Sequence, residues 1–308
     1  MGDTVDRALG ALGAQQHGLL TDGQAADLGL TAKMRRTRLQ RGSLLRVEPG
    51  VLRMAGAPVT YESRLLGAVL GAGSGAVASH RSAARLWGLD GFRSATIEVT
   101  VSRGAWYRQP GVRSHESTDL DRDRVATRSG IPVTSPARTI LDIALRTSDR
   151  RLMLAIESAR RDRLTTWPAL VSTLRVHARR GRPGVARLRR VLAANVDRDE
   201  ITDSGFESLV LALLAEHGLP TPVLHHPVRS PTGDFVAEVD LAYPAARLAI
   251  ELDGLVHLRR DVWERDRPRQ NRLELLGWTV LRFSWRAFVD TPEQIVTDLR
   301  VALRGSAA

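Results

Sequence analysis

Glu238-Val239-Asp240-Leu241-Ala242-Tyr243-Pro244-Ala245-Ala246-Arg247-Leu248-Ala249-Ile250-Glu251-Leu252-Asp253-Gly254 decides how the last third of this chain is read. Its two arms alternate apolar and acidic residues, the period of a strand, and Tyr243-Pro244-Ala245-Ala246 reads as the turn between them. Glu238 and Asp240 share one face of the first arm, and Val239 and Leu241 take the other. In the second arm Leu248, Ile250 and Leu252 go to the core, which leaves Glu251 and Asp253 opposite. A turn at 243–246 sets Asp240 across from Ala249 and makes Glu251 its diagonal neighbour, roughly 7 to 8 Å away between backbones. Acids that interrupt an apolar strand repel one another unless a proton or a cation resolves the repulsion. Two carboxylates completed by waters and phosphate oxygens are the usual way Mg²⁺ is held, so Asp240 and Glu251 are candidate ligands of one Mg²⁺ or Mn²⁺. Such an ion neutralises phosphoryl charge and lowers the pKa of an attacking water. The plain alternative is the solvated outer face of an ordinary hairpin.

The flanks extend the pattern. Asp203 or Ser204 caps a helix ending near 217, stopped by Gly218-Leu219-Pro220. Strands are expected over 222–229, 234–243 and 247–253, a helix over 260–276 closed by Gly277, a strand over 278–285 and a last helix over 292–303. The order αβββαβα implies a mixed sheet covered by helices.

The start of the chain carries another signature. Thr21 caps a short helix through Asp27, Leu28-Gly29-Leu30 turns, and Thr31 caps a second helix ending near Gly42. Strand-like 44–47 and 51–54 then flank Glu48-Pro49-Gly50, a wing. Lys33, Arg36 and Gln40 fall three and four apart, so they share a helix face with Thr31 at its entrance. That face suits a major groove, and the wing arginines Arg46 and Arg53 suit the DNA backbone. A solvated basic helix in a protein-binding winged helix is the alternative.

Between these parts, Gly71, Gly73 and Gly75 match no phosphate-binding fingerprint and read as a turn. Ser79 reads as an N-cap and His80 as a first-turn surface or capping residue. Strand-like 96–101 and 111–115 lead into helices opened by Ser135-Pro136 and continued near 150–163, 168–179 and 185–195. No catalytic constellation shows over 96–200, and the arginines there are either solvated or a phosphate-tracking surface.

Composition sets limits. The 308 residues have net charge +11 and no cysteine, which excludes disulfides, thiolate metal sites and thiol nucleophiles. The charge is uneven, because residues 201–308 carry 15 acidic against 12 basic side chains. A basic body joined to concentrated carboxylates fits DNA held in one place and a cation bound in another. No apolar run long enough for a membrane and no secretion signal are seen, so the expected place is the cytoplasm, with no membrane and no small-molecule cofactor. The expected architecture is α+β / α/β: a winged helix-turn-helix over 1–58, a mixed, mainly helical connector over 59–200, and an αβββαβ core over 201–308.

Two resemblances sharpen this. His17-Gly18-Leu19-Leu20, Gln24-Ala25-Ala26-Asp27-Leu28-Gly29, Arg46-Val47-Glu48-Pro49-Gly50-Val51-Leu52, Ser79-His80-Arg81-Ser82-Ala83-Ala84 and Ile131-Pro132-Val133-Thr134-Ser135-Pro136-Ala137-Arg138-Thr139 resemble abortive-infection antitoxins of the AbiEi type. That resemblance implies promoter binding by the winged helix and a toxin or operon partner. Glu207, Asp240 in Val239-Asp240-Leu241-Ala242, Glu251-Leu252-Asp253-Gly254 with His257, Asp266-Arg267-Pro268-Arg269-Gln270-Asn271 and Gly277-Trp278-Thr279-Val280-Leu281-Arg282-Phe283 resemble the Vsr-related PD-(D/E)xK nucleases (domain of unknown function 559). The pattern implies that Asp240 and Glu251 hold the metal, with Glu207 supporting from its helix. The lysine usual two residues after the Glu is Asp253, and Lys33 is the only lysine in the chain. Asp253 is then a candidate third ligand. His257 is a candidate to orient water, ligate metal or protonate the leaving oxygen. Arg267, Arg269 and Arg282 are candidates to stabilise phosphate charge.

Overall fold

A computed structural model describes residues 2–93, 95–120, 125–179, 181–195, 203–253 and 269–305. They form two compact units, residues 1–143 with 150–164, and residues 144–149 with 165–308. The segment 59–200 is divided between the two.

The first unit opens with α1 (Gly2–Gln15), β1 (Leu19–Thr21), α2 (Asp22–Asp27), α3 (Ala32–Gln40), β2 (Leu44–Glu48) and β3 (Val51–Met54). The strands form an antiparallel sheet in the order β1-β3-β2, so β2 and β3 are the expected wing. Leu9, Leu20, Ala25, Leu30, Leu44 and Leu52 make its core. Thr21 and Gln24 form a reciprocal capping box at the start of α2, and Thr31 Oγ1 accepts the Met34 N–H at the start of α3. Removing the Thr21 hydroxyl strands the Gln24 N–H. Thr21→Ala is therefore expected to cost about 1 kcal/mol in urea unfolding, and Thr21→Ser to restore most of it.

The unit continues through α4 (Tyr61–Gly71), β4 (Val77–Ala78), α5 (His80–Leu86), β5 (Ile97–Ser102), β6 (Val112–Ser117), β7 (Ala126–Arg128), β8 (Ile131–Val133), α6 (Pro136–Ala144) and α7 (Asp149–Arg161). The sheet order is β6-β5-β4-β8-β7, with β5/β6 and β4/β8 parallel and the other pairs antiparallel. Two of these strands, β5 and β6, were expected from the sequence, and the short β4, β7 and β8 were not. Those three strands have only two or three residues, and Pro132 sits inside β8. A proline is tolerated there because β4 pairs with β8 at Val133 alone. Ser135 caps α6 as expected, its Oγ accepting the Arg138 N–H. The Arg138 side chain, 3% exposed, bonds Asp142 Oδ1 at 2.8 Å and Ser117 Oγ at 3.3 Å and stands 3.5 Å from Asp119 Oδ1.

The second unit contains α8 (Trp167–His177), α9 (Val185–Asn195), α10 (Asp203–Glu216), β9 (Val223–Arg229), β10 (Phe235–Tyr243), β11 (Leu248–Asp253), α11 (helical over 269–275), β12 (Thr279–Ser284), α12 (Trp285–Asp290) and α13 (Pro292–Gly305). Its sheet runs β12-β11-β10-β9, antiparallel except for the β11/β12 pair, which is the mixed sheet expected from the element order. Trp285 opens α12 instead of closing β12, because Ser284 Oγ accepts the Ala287 N–H. Phe206 meets Trp285 and Phe288 edge-on at 5.2 and 5.6 Å.

Several arginines of the connector hold the fold, and this replaces both readings made from the sequence for those residues. Arg189 is buried and bonds Glu216 at 3.1 Å. Arg187 donates to the carbonyls of Ala144, Leu145 and Thr147.

Candidate functional site

The hairpin β10–β11 places its acids by register. Leu241 pairs with Ile250, Ala242 with Ala249 and Tyr243 with Leu248. The connection is a 3₁₀ turn over Pro244–Ala246 followed by Arg247 in the left-handed region at φ 46°. The turn lies one residue later than the sequence suggested, which moves the pairing by two: Ala242, not Asp240, pairs with Ala249, and carrying the register one residue past Leu241 and Ile250 sets Asp240 level with Glu251. A shift of two keeps every side chain on its face, so Asp240 and Glu251 still share one. They become directly opposite neighbours.

Asp240 and Glu251 are half-buried, and both are oriented by hydrogen bonds. Asp240 Oδ2 accepts the Leu252 N–H at 2.7 Å, and Glu251 Oε1 accepts from Arg269 Nη2 at 3.0 Å. Arg269 donates as well to the Glu238 carbonyl. Parallel pairing sets Arg282 level with Glu251 and Ser284 level with Asp253. Glu251 thus sits between an acidic strand and two arginines, one from α11 and one from β12.

Glu207 is buried in α10, and its Oε2 lies 3.5 Å from His225 Nε2. His225 occupies β9 between Leu224 and His226, which pair with Leu241 and Val239, so it is level with Asp240. It adopts φ 47°, a conformation uncommon for a residue other than glycine. Sequence reasoning passed over His225. The only signal for it was the His225-His226 pair within an expected strand. His257 lies outside the described residues, as do Asp266 and Arg267.

The oxygen-only set fits a hard divalent cation. Asp240 and Glu251 present carboxylates on one face, and Asp253 follows on the same strand face. Among the described residues these acids do not close into a group of three within 4.8 Å. An open pair of that kind suits Mg²⁺ or Mn²⁺, which keep several waters and take phosphate oxygens, better than an all-protein cage.

The winged helix sorts its basic residues into two groups. Arg35 and Arg46 both pair with Asp22, at 3.1 and 3.0 Å, and Arg38 pairs with Asp6 at 2.7 Å. Arg53 is half-buried in the central strand, with its Nε buried. Thr31 is engaged as the cap of α3. Lys33, Arg36 and Gln40 remain exposed on one face of α3, as their spacing predicted.

Comparison with known proteins matches two family models to the chain. Residues 76–194 match the model described as the AbiEi antitoxin C-terminal domain, and residues 206–303 match the model REase_MTES_1575. The chain is therefore a fusion of an AbiEi-like region with a restriction-endonuclease-like domain. Two Mycobacterium tuberculosis proteins are similar over most of its length: "Uncharacterized protein MT2308" of strain CDC 1551 / Oshkosh and "Uncharacterized protein Rv2248" of strain ATCC 25618 / H37Rv. Each is 29% identical over 258 residues, which is 82% of this chain and 89% of the relative. Among the described residues no helix is long and apolar enough to cross a membrane.

Proposed function

We propose that this protein is a Mg²⁺- or Mn²⁺-dependent DNA endonuclease that docks through the winged helix of residues 1–58 and hydrolyses a phosphodiester at the β10–β11 hairpin of residues 201–308. The observation that carries the reading is the pairing of β10 with β11, which makes Asp240 and Glu251 opposite neighbours on one face of a restriction-endonuclease-like sheet. Asp240 and Glu251 would hold the ion, with Asp253 the next candidate ligand. When bound, the ion supplies Lewis-acid neutralisation of the charge that builds on the phosphoryl oxygens. The chain's own residues do the rest. The Leu252 N–H fixes the Asp240 carboxylate, while Arg269 and Arg282 bring positive charge beside Glu251, where a phosphate would lie. Arginine stays protonated, so it stabilises charge and does not take a proton. Glu207 on α10 and His225 on β9, the strand next to Asp240, add an acid–imidazole contact. The test is nicking of supercoiled plasmid by the full chain with Mg²⁺ or Mn²⁺, against a chelated control. A homogeneous preparation that cuts neither duplex nor single-stranded DNA with either ion would remove the proposal.

A second reading has an observation of its own. Position 253 holds Asp where the nuclease pattern has Lys, and the Arg269 guanidinium already occupies Glu251 Oε1. A regulator of antitoxin type with an inactive nuclease fold would look the same, and would work with a toxin partner. It requires operator binding without cleavage, and calorimetry showing no uptake of Mg²⁺ at millimolar concentration.

Both readings use α3 for DNA. Arg36→Ala or Lys33→Ala is expected to weaken duplex binding and to reduce the slope of log affinity against log salt by about 1 for each phosphate that is no longer neutralised. Arg53→Ala should leave that slope alone. Binding measured across a salt series checks both, and an unchanged slope in Arg36→Ala/Lys33→Ala would take DNA off this face.

A further inference from the structure

A second constellation lies in the first unit and shares no residue with the hairpin or with α3. His80 begins α5, Glu98 lies in β5 and His115 in β6. Their ligand atoms all fall within 4.8 Å of one another. Sequence pattern does not announce it, since His80 reads as a surface or capping residue and no constellation shows over 96–200. Strand pairing assembles it. β5 and β6 run parallel with Thr100 level with His115 and Glu98 level with Arg113, so Glu98 and His115 are diagonal neighbours on one face. β4 pairs with β5 at Ala78 and Val99, and the chain leaving β4 delivers His80 over that face.

The surroundings are those of a built site. Glu98 is 2% exposed, and the two imidazoles are half-buried. The rings of His80 and His115 stack with centroids 3.6 Å apart and planes 12° from parallel. Two imidazolium ions would repel in that arrangement, whereas two neutral rings, the form that binds metals, would not. His115 Nε2 stands 3.9 Å from Glu98 Oε2, beyond a hydrogen bond and within the ~4.4 Å that two bonds of about 2.2 Å to one ion can span. Outer contacts hold the ligands in place. His80 Nδ1 lies 3.0 Å from Ser79 Oγ, which accepts in turn from Thr100 Oγ1 at 2.7 Å. In the tautomer that donates to Ser79, His80 Nε2 carries the lone pair. Glu98 Oε2 accepts the Arg81 N–H at 3.0 Å, the Glu98 N–H donates to Ser82 Oγ at 2.8 Å, and Arg113 Nη1 lies 3.5 Å from Oε1. His80 itself adopts φ 50°, a strained conformation that the site maintains.

From this geometry we infer that His80, Glu98 and His115 form a binding site for a divalent transition metal of the zinc class. Two imidazoles and one carboxylate are borderline ligands that favour Zn²⁺, Co²⁺ or Ni²⁺ over Mg²⁺, so this site and the oxygen-only hairpin select different ions. Three protein ligands leave a coordination position for water or an exogenous ligand. The ion ties the start of α5 to β5 and β6. The inference is independent of the nuclease proposal and uses none of its residues.

The experiment uses the untagged full chain stripped with chelator. Co²⁺ titration should give a visible absorption spectrum that saturates near one equivalent and is displaced by Zn²⁺, and Zn²⁺ should raise the melting temperature by several degrees. His80→Ala and His115→Ala should each abolish the spectrum and weaken Zn²⁺ binding at least ~10-fold, whereas Glu238→Ala, an exposed change outside both sites, should change neither. Should either His variant fail to fold by circular dichroism, X-ray absorption of the Zn²⁺-loaded unaltered chain decides: a shell containing two imidazole nitrogens supports the site. An all-oxygen shell, no uptake at tens of micromolar Zn²⁺, or full binding retained in folded His80→Ala and His115→Ala would overturn it.

Discussion

Asp240→Ala and Glu251→Ala are each expected to lower metal-dependent plasmid nicking by ~10²-fold or more, the scale lost when a preorganised charge-stabilising group is removed from a phosphoryl-transfer site. The size of the effect follows from register. Opposite neighbours on one sheet face would contribute to the same ion in the proposed site, so neither residue substitutes for the other. Alanine at 240 also removes the acceptor for the Leu252 N–H. Asp240→Asn is therefore the sharper variant, because an amide oxygen can keep that bond while the charge is lost. It should retain the fold and still lose nicking. Glu238→Ala is the control: Glu238 is exposed on the same strand, and its interaction with Arg269 runs through the backbone carbonyl, which the substitution leaves in place. Its rate should stay within about twofold, as for a surface change that removes no charge from the reacting phosphate. Nicking that persists unchanged in both Asp240→Asn and Glu251→Ala would assign the cutting to a contaminant or to another site.

The other large effect concerns stability. Arg138→Ala is expected to destabilise the first unit by about 3–5 kcal/mol, because it leaves the buried acids Asp119 and Asp142 without their shared guanidinium. Asp119 is 1% exposed, so water does not replace what is lost. Arg138→Lys keeps a charge but not the fork that reaches Asp142, Ser117 and Asp119 together, and should fall in between. Urea unfolding followed by hydrogen exchange in β5, β6 and α6 checks this. A loss below about 1 kcal/mol would mean that the network contributes no more than an exposed ion pair does.

Much of the fold was legible where side-chain period and capping chemistry agree. Thr21, Thr31, and Pro136 after Ser135 announced helix starts, and the alternation around Asp240 and Glu251 placed both acids on one face before any register was known. The register was not legible. Arg247 enters the left-handed region without being glycine or asparagine, so nothing in the sequence marked the end of the turn. The short strands β4, β7 and β8 of the five-stranded sheet escaped for a different reason. Strands of two or three residues carry no measurable period, and Pro132 argues locally against a strand that tertiary pairing nevertheless accepts. α1 was missed although Val5, Leu9 and Leu12 repeat at helical spacing, with Leu9 buried. His80, Glu98 and His115 lie 18 and 17 positions apart in sequence. Only the pairing of β4 with β5 and of β5 with β6 brings them together, and no local rule reports such a meeting. His225 was hidden in the same way, since its significance lies in Glu207 on a separate element.

Lys33 bears the only side-chain amine in the sequence and stands in the open on α3. An acylating dye under mild conditions therefore marks one defined place among the side chains, on the helix proposed to meet DNA, and erases one positive charge as it does so. Because the hairpin contains no amine, the same reagent cannot poison it directly. Any loss of cutting after acylation would report a fault in gripping the substrate, and short oligonucleotides at saturating concentration should conceal that fault.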